Sequence, residues 1–213
     1  MPLVGSSARW RRRFLNIHAK IMDGIERVWP ACRSHCSSAS EENKITRQLV
    51  VRLKQDRMLR SGPGHIVSQY ELLPEEVVGD VGPKGYIDIA VLFRVGREKV
   101  YLALECKRLN VSSSGGGRKS LASEYVNEGM MRFVQAQYAL GLPFGVMLGY
   151  VMDGDVVFAL AAVKKRICEC VAVLRCEPSG PKDIEAPGPF QSFSTTHQGP
   201  SCAIELRHFM LPV

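Results

Sequence analysis

Apolar residues recur at three- and four-residue steps from Trp10 through Phe14, Ile17, Ile21 and Ile25 to Val28. This predicts an amphipathic helix over residues 9–29 that stops ahead of Pro30. A polar linker, Ser34 to Ser40, separates it from a second stripe, Ile45, Leu49 and Leu53, on a helix running to about Leu59. The start of that helix carries a capping-box pattern, either Ser38 with Glu41 or Ser40 with Asn43. The period then changes. Ile66 to Leu73 reads as a strand closed by Pro74, and the runs GYIDIAVLF (85–93) and KVYLALECK (99–107) read as two more. Gly96-Arg97 between them has the glycine-first signature of a two-residue type II′ hairpin turn. A third helix is expected from Ser120 to Leu140, with Tyr125, Gly129, Phe133, Ala136 and Leu140 on one side, ended by Gly141-Leu142-Pro143. Phe144 to Met152 is continuously apolar, as a strand buried on both faces should be. Val156 to about Leu174 has mainly helical spacing, although Val156 to Val163 also fits a strand. Ile204 to Leu211 reads as a closing strand. The segment from Pro178 to Pro200, rich in Pro, Gly and Ser, is expected to run over the surface. The order of elements predicts an α/β sandwich, a mixed sheet covered by helices on both sides.

Hairpin geometry turns this pattern into candidate chemistry. With Val95 facing Glu98, carrying the pairing outward sets Asp88 directly opposite Glu105, and the two-residue period puts Lys107 on the face of Glu105. Opposed residues hold their Cβ atoms about 4.5–5.5 Å apart, so two carboxylates there repel unless something positive lies between them. A divalent cation beside Lys107 would satisfy them, magnesium taking hard oxygen ligands at about 2.0–2.1 Å. A solvated salt-bridge cluster on the wet face of an antiparallel sheet is the alternative. Ile87, Ile89, Val91, Phe93, Val100, Leu102, Leu104 and Cys106 form the opposite, dry face. The charged face also carries Tyr86, Ala90, Leu92, Tyr101 and Ala103, with its charges gathered at one end, the pattern of a covered sheet with a local polar pocket. Glu42 falls on the inward stripe of the second helix, as an end-of-helix group reaching water or as one aimed at a buried polar site. Its neighbour Glu41 is the ordinary exposed alternative, favourable near a helix N-terminus. Cys106 points away from the charges and belongs to the core.

Composition narrows the setting. The chain has 213 residues, 46% of them hydrophobic, enough for one well-packed core. No apolar run approaches the roughly 20 residues that span a bilayer. Arg9-Trp10-Arg11-Arg12-Arg13 passes at once into a mixed helical pattern, so no secretory leader is expected, and Asp23 and Glu26 argue against an organellar presequence. Seven cysteines at irregular spacings suit reduced thiols in a cytoplasmic setting. Cys32, His35 and Cys36 lack a second ligand pair at zinc-finger spacing. A net charge of +7 suits a polyanionic partner. The basic clusters Arg9 to Arg13, Arg118-Lys119 and Lys164-Lys165-Arg166 either track phosphates or form solvated helix ends. Ser112 to Gly117 reads as a flexible loop beside the candidate site and lacks the ending of a phosphate-binding P-loop. Glu128, Arg132 and Gln135 line one side of the third helix, the pattern of a solvated face, in which the Arg132 guanidinium could also contact a phosphate. His208 is taken as structural.

A helix bearing Glu42, then Asp88 on one hairpin strand, Glu105-Cys106-Lys107 on the next and a helix beyond resemble the PD-(D/E)XK nuclease superfamily over roughly Glu41 to Tyr150. Ile87 stands where the superfamily's name has proline. The resemblance implies a restriction-endonuclease-like three-layer sandwich at residues 38–213, preceded by an N-terminal helical extension and linker at 1–37. It implies a metal-dependent endonuclease acting on DNA, with RNA also open as substrate, in restriction, repair or mobile-element defence. Asp88, Glu105, the main-chain carbonyl of Cys106 and Glu42 would hold magnesium, for which manganese can substitute. Lys107 would orient the attacking water and stabilise charge on the transition state. Arg118, Lys119 and Arg132 would contact nucleic acid, no membrane is involved, and a homodimer would suit double-strand cutting. A catalytically inactive nucleic-acid-binding or protein-interaction module is the alternative.

Overall fold

The apolar stripes condense into a mixed, mainly antiparallel seven-stranded sheet with helices on both faces. The computed structural model describes residues 7–62, 64–72, 85–95, 98–113, 115–139 and 141–213. Helices α1 (Ser7–Arg33), α2 (Glu42–Gln55) and the short α3 (Arg57–Arg60) come first. Strands β1 (His65–Leu72), β2 (Gly85–Val95) and β3 (Glu98–Leu109) follow. A small hairpin, β4 (Val111–Ser112) and β5 (Arg118–Lys119), leads into α4 (Ala122–Glu124), a π-helical turn (Tyr125–Met130) and α5 (Met131–Val134). The chain continues through β6 (Phe144–Val151), α6 (Val156–Glu169), β7 (Lys182–Asp183), β8 (Gln191–Gln198) and β9 (Ala203–Pro212).

In the order β1-β2-β3-β6-β9-β8-β7, strands β3, β6 and β9 run parallel and every other neighbouring pair is antiparallel. All eight residues of β6 are buried, as its unbroken apolar run requires. On one face, Phe14, Ile21, Ile25 and Trp29 of α1 and Ile45, Leu49 and Leu53 of α2 fill the core. Trp29 stacks on Tyr150, centroids 5.8 Å apart, and donates Nε1–H to the Pro212 carbonyl at 2.9 Å. Tyr125, Phe133, Val163 and Ile167 close the other face. Among the described residues no helix is long and apolar enough to cross a membrane.

Several boundaries differ from the sequence expectation. Helix α1 continues past Pro30 to Arg33, because burial of Trp29 and Cys32 on either side of the exposed proline outweighs one lost backbone bond in the last turn. No capping box forms at α2, since Ser40 Oγ already accepts from Ser37 N at 2.9 Å and Glu41 makes no side-chain cap. That helix ends at Gln55, where Asp56 caps α3 by accepting from Leu59 N at 2.9 Å. The helix after β5 ends at Val134, well short of residue 140. Glycine-rich residues 115–117 lie within the β4–β5 hairpin, which Arg118 anchors through Asp153 at 2.7 Å and Asp155 at 3.0 Å. The Gly96-Arg97 turn and Pro74 lie outside the described residues.

The Pro-, Gly- and Ser-rich segment holds a full strand of the sheet, β8. Its buried polar groups partner one another, which is why composition hid it. His197 Nδ1 donates to the Leu174 carbonyl at 2.8 Å, leaving Nε2 to accept from Thr195 Oγ1 at 2.7 Å. Thr195 then accepts from His208 Nε2 at 2.9 Å, and His208 Nδ1 accepts from Tyr125 Oη at 3.0 Å. His208 is thus a satisfied core histidine, stacked on Phe193 with centroids 4.2 Å apart.

His18, 8% exposed, lies against Phe209. Burial, reinforced by Arg207, lowers its pKa to about 3. Unfolded histidine binds its proton near pH 6.5, so below that the unfolded state takes up protons the folded state refuses. The contribution is complete above pH 6.5 and is lost as pH falls toward 3, by about 3 kcal/mol on reaching pH 4. Urea unfolding of the native chain and of His18→Leu should therefore diverge in slope between pH 6.5 and 4. Parallel profiles would remove His18 from the acid response.

Candidate active site

Strand β3 organises the site because its neighbour β2 leaves it early. The antiparallel ladder has the expected register, Val95 facing Glu98 and Ile89 facing Leu104, and its last pair is Ile89–Leu104. Asp88 therefore does not form a ladder pair with Glu105. Successive strand N–H groups alternate edges, so those of Cys106 and Arg108 both point into the gap. Carboxylates take the place of the missing strand carbonyls. Asp88 Oδ2 accepts from Cys106 N at 2.8 Å, and Glu42 Oε2 accepts from Arg108 N at 2.9 Å. Buried N–H groups must find acceptors, and an ionised one makes the stronger bond. Gln69, held at φ +50°, donates Nε2–H to Asp88 Oδ1 at 3.2 Å from β1.

Lys107 draws the remaining groups together. Its Nζ donates to Glu105 Oε1 at 2.7 Å, the Cys106 carbonyl at 3.1 Å and Glu42 Oε1 at 3.3 Å, using all three ammonium hydrogens. Glu105 is 0% exposed, and Asp88 and Lys107 are each 9% exposed. Arg132 approaches Glu105 Oε1 at 3.1 Å and also donates to Tyr138 Oη, which in turn donates to the Tyr86 carbonyl on β2. The π turn brings the helix down on this corner. A Cβ at Gly129 would lie 2.5 Å from Met147 Cε and 3.4 Å from Lys107 Cγ, so glycine permits the approach. Such turns recur at functional sites.

Negative charge is in excess. Three carboxylates meet two cations, and among the described residues no cationic side chain pairs with Asp88, whose hydrogen bonds come from a neutral amide and a backbone N–H. Burial and then the Asp88 charge push Glu105 up to about 7, against the pull of Lys107 and Arg132. Burial alone would lower the Lys107 ammonium, but Glu105 and Glu42 outweigh it and hold it above its ordinary value. Buried carboxyls with raised pKa values occur at functional sites and in structural ion-pair networks alike.

Of the residues expected from sequence, Glu42, Asp88, Glu105, Lys107, the Cys106 carbonyl and Arg132 meet here. Arg118 is held by Asp153 and Asp155 and lies over Phe158, while Lys119 pairs with Glu124 at 3.0 Å. Glu128 and Gln135 are exposed. The Cys106 thiol faces the core, accepting from Tyr150 Oη at 3.3 Å. Gln69 and Tyr138 carried no sequence signal, since each reaches the site through register or turn geometry rather than motif. Among the described residues no three His, Cys, Asp or Glu side chains are gathered to hold a metal as they stand. The point on which Glu42, Glu105 and Cys106 oxygens converge is taken by Lys107 Nζ. The donor set nevertheless fits a hard dication, being all oxygen and short of positive charge. No protein-family model, curated protein or solved structure matches this chain.

Proposed function

We propose that this protein is a metal-dependent endonuclease hydrolysing DNA phosphodiester bonds on a restriction-endonuclease-like fold. The observation that carries the reading is the convergence of Glu42, Glu105 and Cys106 oxygens on one cationic centre, beside an Asp88 carboxylate with no ion-pair partner among the described residues. Asp88, Glu105, the Cys106 carbonyl and Glu42 would hold magnesium, or manganese in its place, which supplies Lewis acidity and positive charge for attack on an anionic diester. Lys107 Nζ would be displaced from those oxygens by an ion they held, and its ammonium would then be free to face charge developing on the phosphate. Arg132 holds Glu105, and Tyr138 ties Arg132 to β2, a brace between the strands that does not pass through Lys107. The helix, hairpin and helix order of α2, β2–β3 and α4–α5 supports the same assignment. Restriction, repair or mobile-element defence in the cytoplasm would use such an activity.

A second reading has its own observation. Lys107 already completes the oxygen cluster, so the corner could serve a nucleic-acid-binding module without hydrolysis. Supercoiled plasmid separates the two. Nicking that requires magnesium, stops in EDTA and is lost in Glu105→Ala supports the nuclease. Salt-sensitive DNA binding with no cleavage identifies the module, and neither result leaves the corner a structural salt-bridge network.

A further inference from the structure

Toward the other end of the hairpin from the acidic cluster, a cleft of about 550 Å³ opens beside the start of β1. Tyr70, Leu92 and Tyr101 contribute an apolar wall, and Arg13, His65 and Arg94 are among the other lining residues. The rings of Tyr70 and Tyr101 stand 6.0 Å apart, inclined at 48°. Two smaller hollows share Gly64 with the cleft, and Lys20, Lys54 and Arg60 are among their lining residues. Among the described residues no acidic side chain lines any of the three. Among the described residues, none of these five permanent cations is engaged in an ion pair. Arg13 and Arg94 thus stand beside the aromatic wall with no ion-pair partner among the described residues.

We infer that this cleft binds single-stranded nucleic acid, its phosphates running along the cations and a base stacking on the Tyr70–Tyr101 pair. A basic groove combined with aromatic rings is the surface that unpaired strands require. An acidic peptide would answer the charge and leave the tyrosine wall uncovered. Bases of an intact duplex are stacked on one another and offer no free face. Leu92 and Tyr101 stand four residues from Asp88 and Glu105, roughly 13 Å at about 3.3 Å per residue. Between them Tyr138 bonds the Tyr86 carbonyl, and Ala139 N donates to Tyr101 Oη at 3.2 Å. Tyr70 enters the cleft from beside Gln69, the residue that bonds Asp88, so the cleft extends away from the acidic corner along the hairpin, and binding there needs neither metal nor cleavage.

Fluorescence anisotropy of the full chain in EDTA tests this, with labelled oligo-dT, oligo-rU, a duplex of equal length and polyglutamate as probes. An unpaired strand should bind best, with a salt slope of about −0.7 per phosphate contacted. Arg13→Gln combined with Arg94→Gln should flatten that slope by about 1.4. Tyr70→Leu should weaken single-strand binding about tenfold and spare the duplex. If Tyr70→Leu does not fold, the exposed Arg94 and half-buried Arg13 carry the test alone. Because binding is read in EDTA, absence of nuclease activity does not bear on the result. An unchanged slope in the double variant, equal loss of single strand and duplex, or preference for polyglutamate would overturn the assignment.

Discussion

Lys107→Met is expected to destabilise the chain by about 3–5 kcal/mol in metal-free buffer, the cost of removing one partner from a buried ion pair. The variant would leave Glu42, Asp88 and Glu105 facing one another with Arg132 as the remaining paired cation. Glu105 can relieve the repulsion by holding a proton, since its pKa already stands near 7. A folded-state pKa raised above the unfolded one stabilises at low pH, and that contribution is lost as pH rises through it. The deficit should therefore be smallest near pH 5 and grow toward pH 8. Magnesium or manganese should recover part of it, about 2.7 kcal/mol at a hundredfold excess over the dissociation constant. Urea unfolding across pH, with and without the ion, measures each term. A variant as stable as the native chain at pH 8 would show that Lys107 neutralises nothing of consequence.

Asp88→Asn separates chemistry from folding. The amide oxygen can still accept from Cys106 N, so the strand edge stays satisfied and stability should change by less than about 1 kcal/mol. Magnesium-dependent cleavage should fall at least about a thousandfold, because the substitution removes the one carboxylate of this cluster that has no ion-pair partner among the described residues. Single-turnover cleavage beside a thermal melt gives both readings. Full cleavage by a correctly folded Asp88→Asn chain would take Asp88 out of the mechanism.

The sequence made the hairpin legible because strand alternation is strict there: Ile87, Ile89, Leu102 and Leu104 are all fully buried or nearly so, and the register is the one that turn geometry implied. It could not show that pairing stops at Ile89–Leu104, since a ladder's end depends on what replaces it, here carboxylates from β2 and α2. Glu42 could be placed at the start of a helix but not above the end of β3, a matter of how α2 packs. Arg132 looked like part of a solvated row; the π turn at residues 125–130 rotates it onto Glu105. Strand β8 was hidden for another reason. Serine, threonine and histidine read as surface unless their mutual hydrogen bonds are known, and those bonds run to β9 and to the turn after α6.

Titration of the metal-free chain with manganese, followed by calorimetry and electron paramagnetic resonance, addresses the central claim most directly. One or two ions should bind the native chain, binding should weaken in Asp88→Asn, and none should bind when Glu105→Ala is added. No binding to the native chain, or binding that survives loss of both carboxylates, would contradict it.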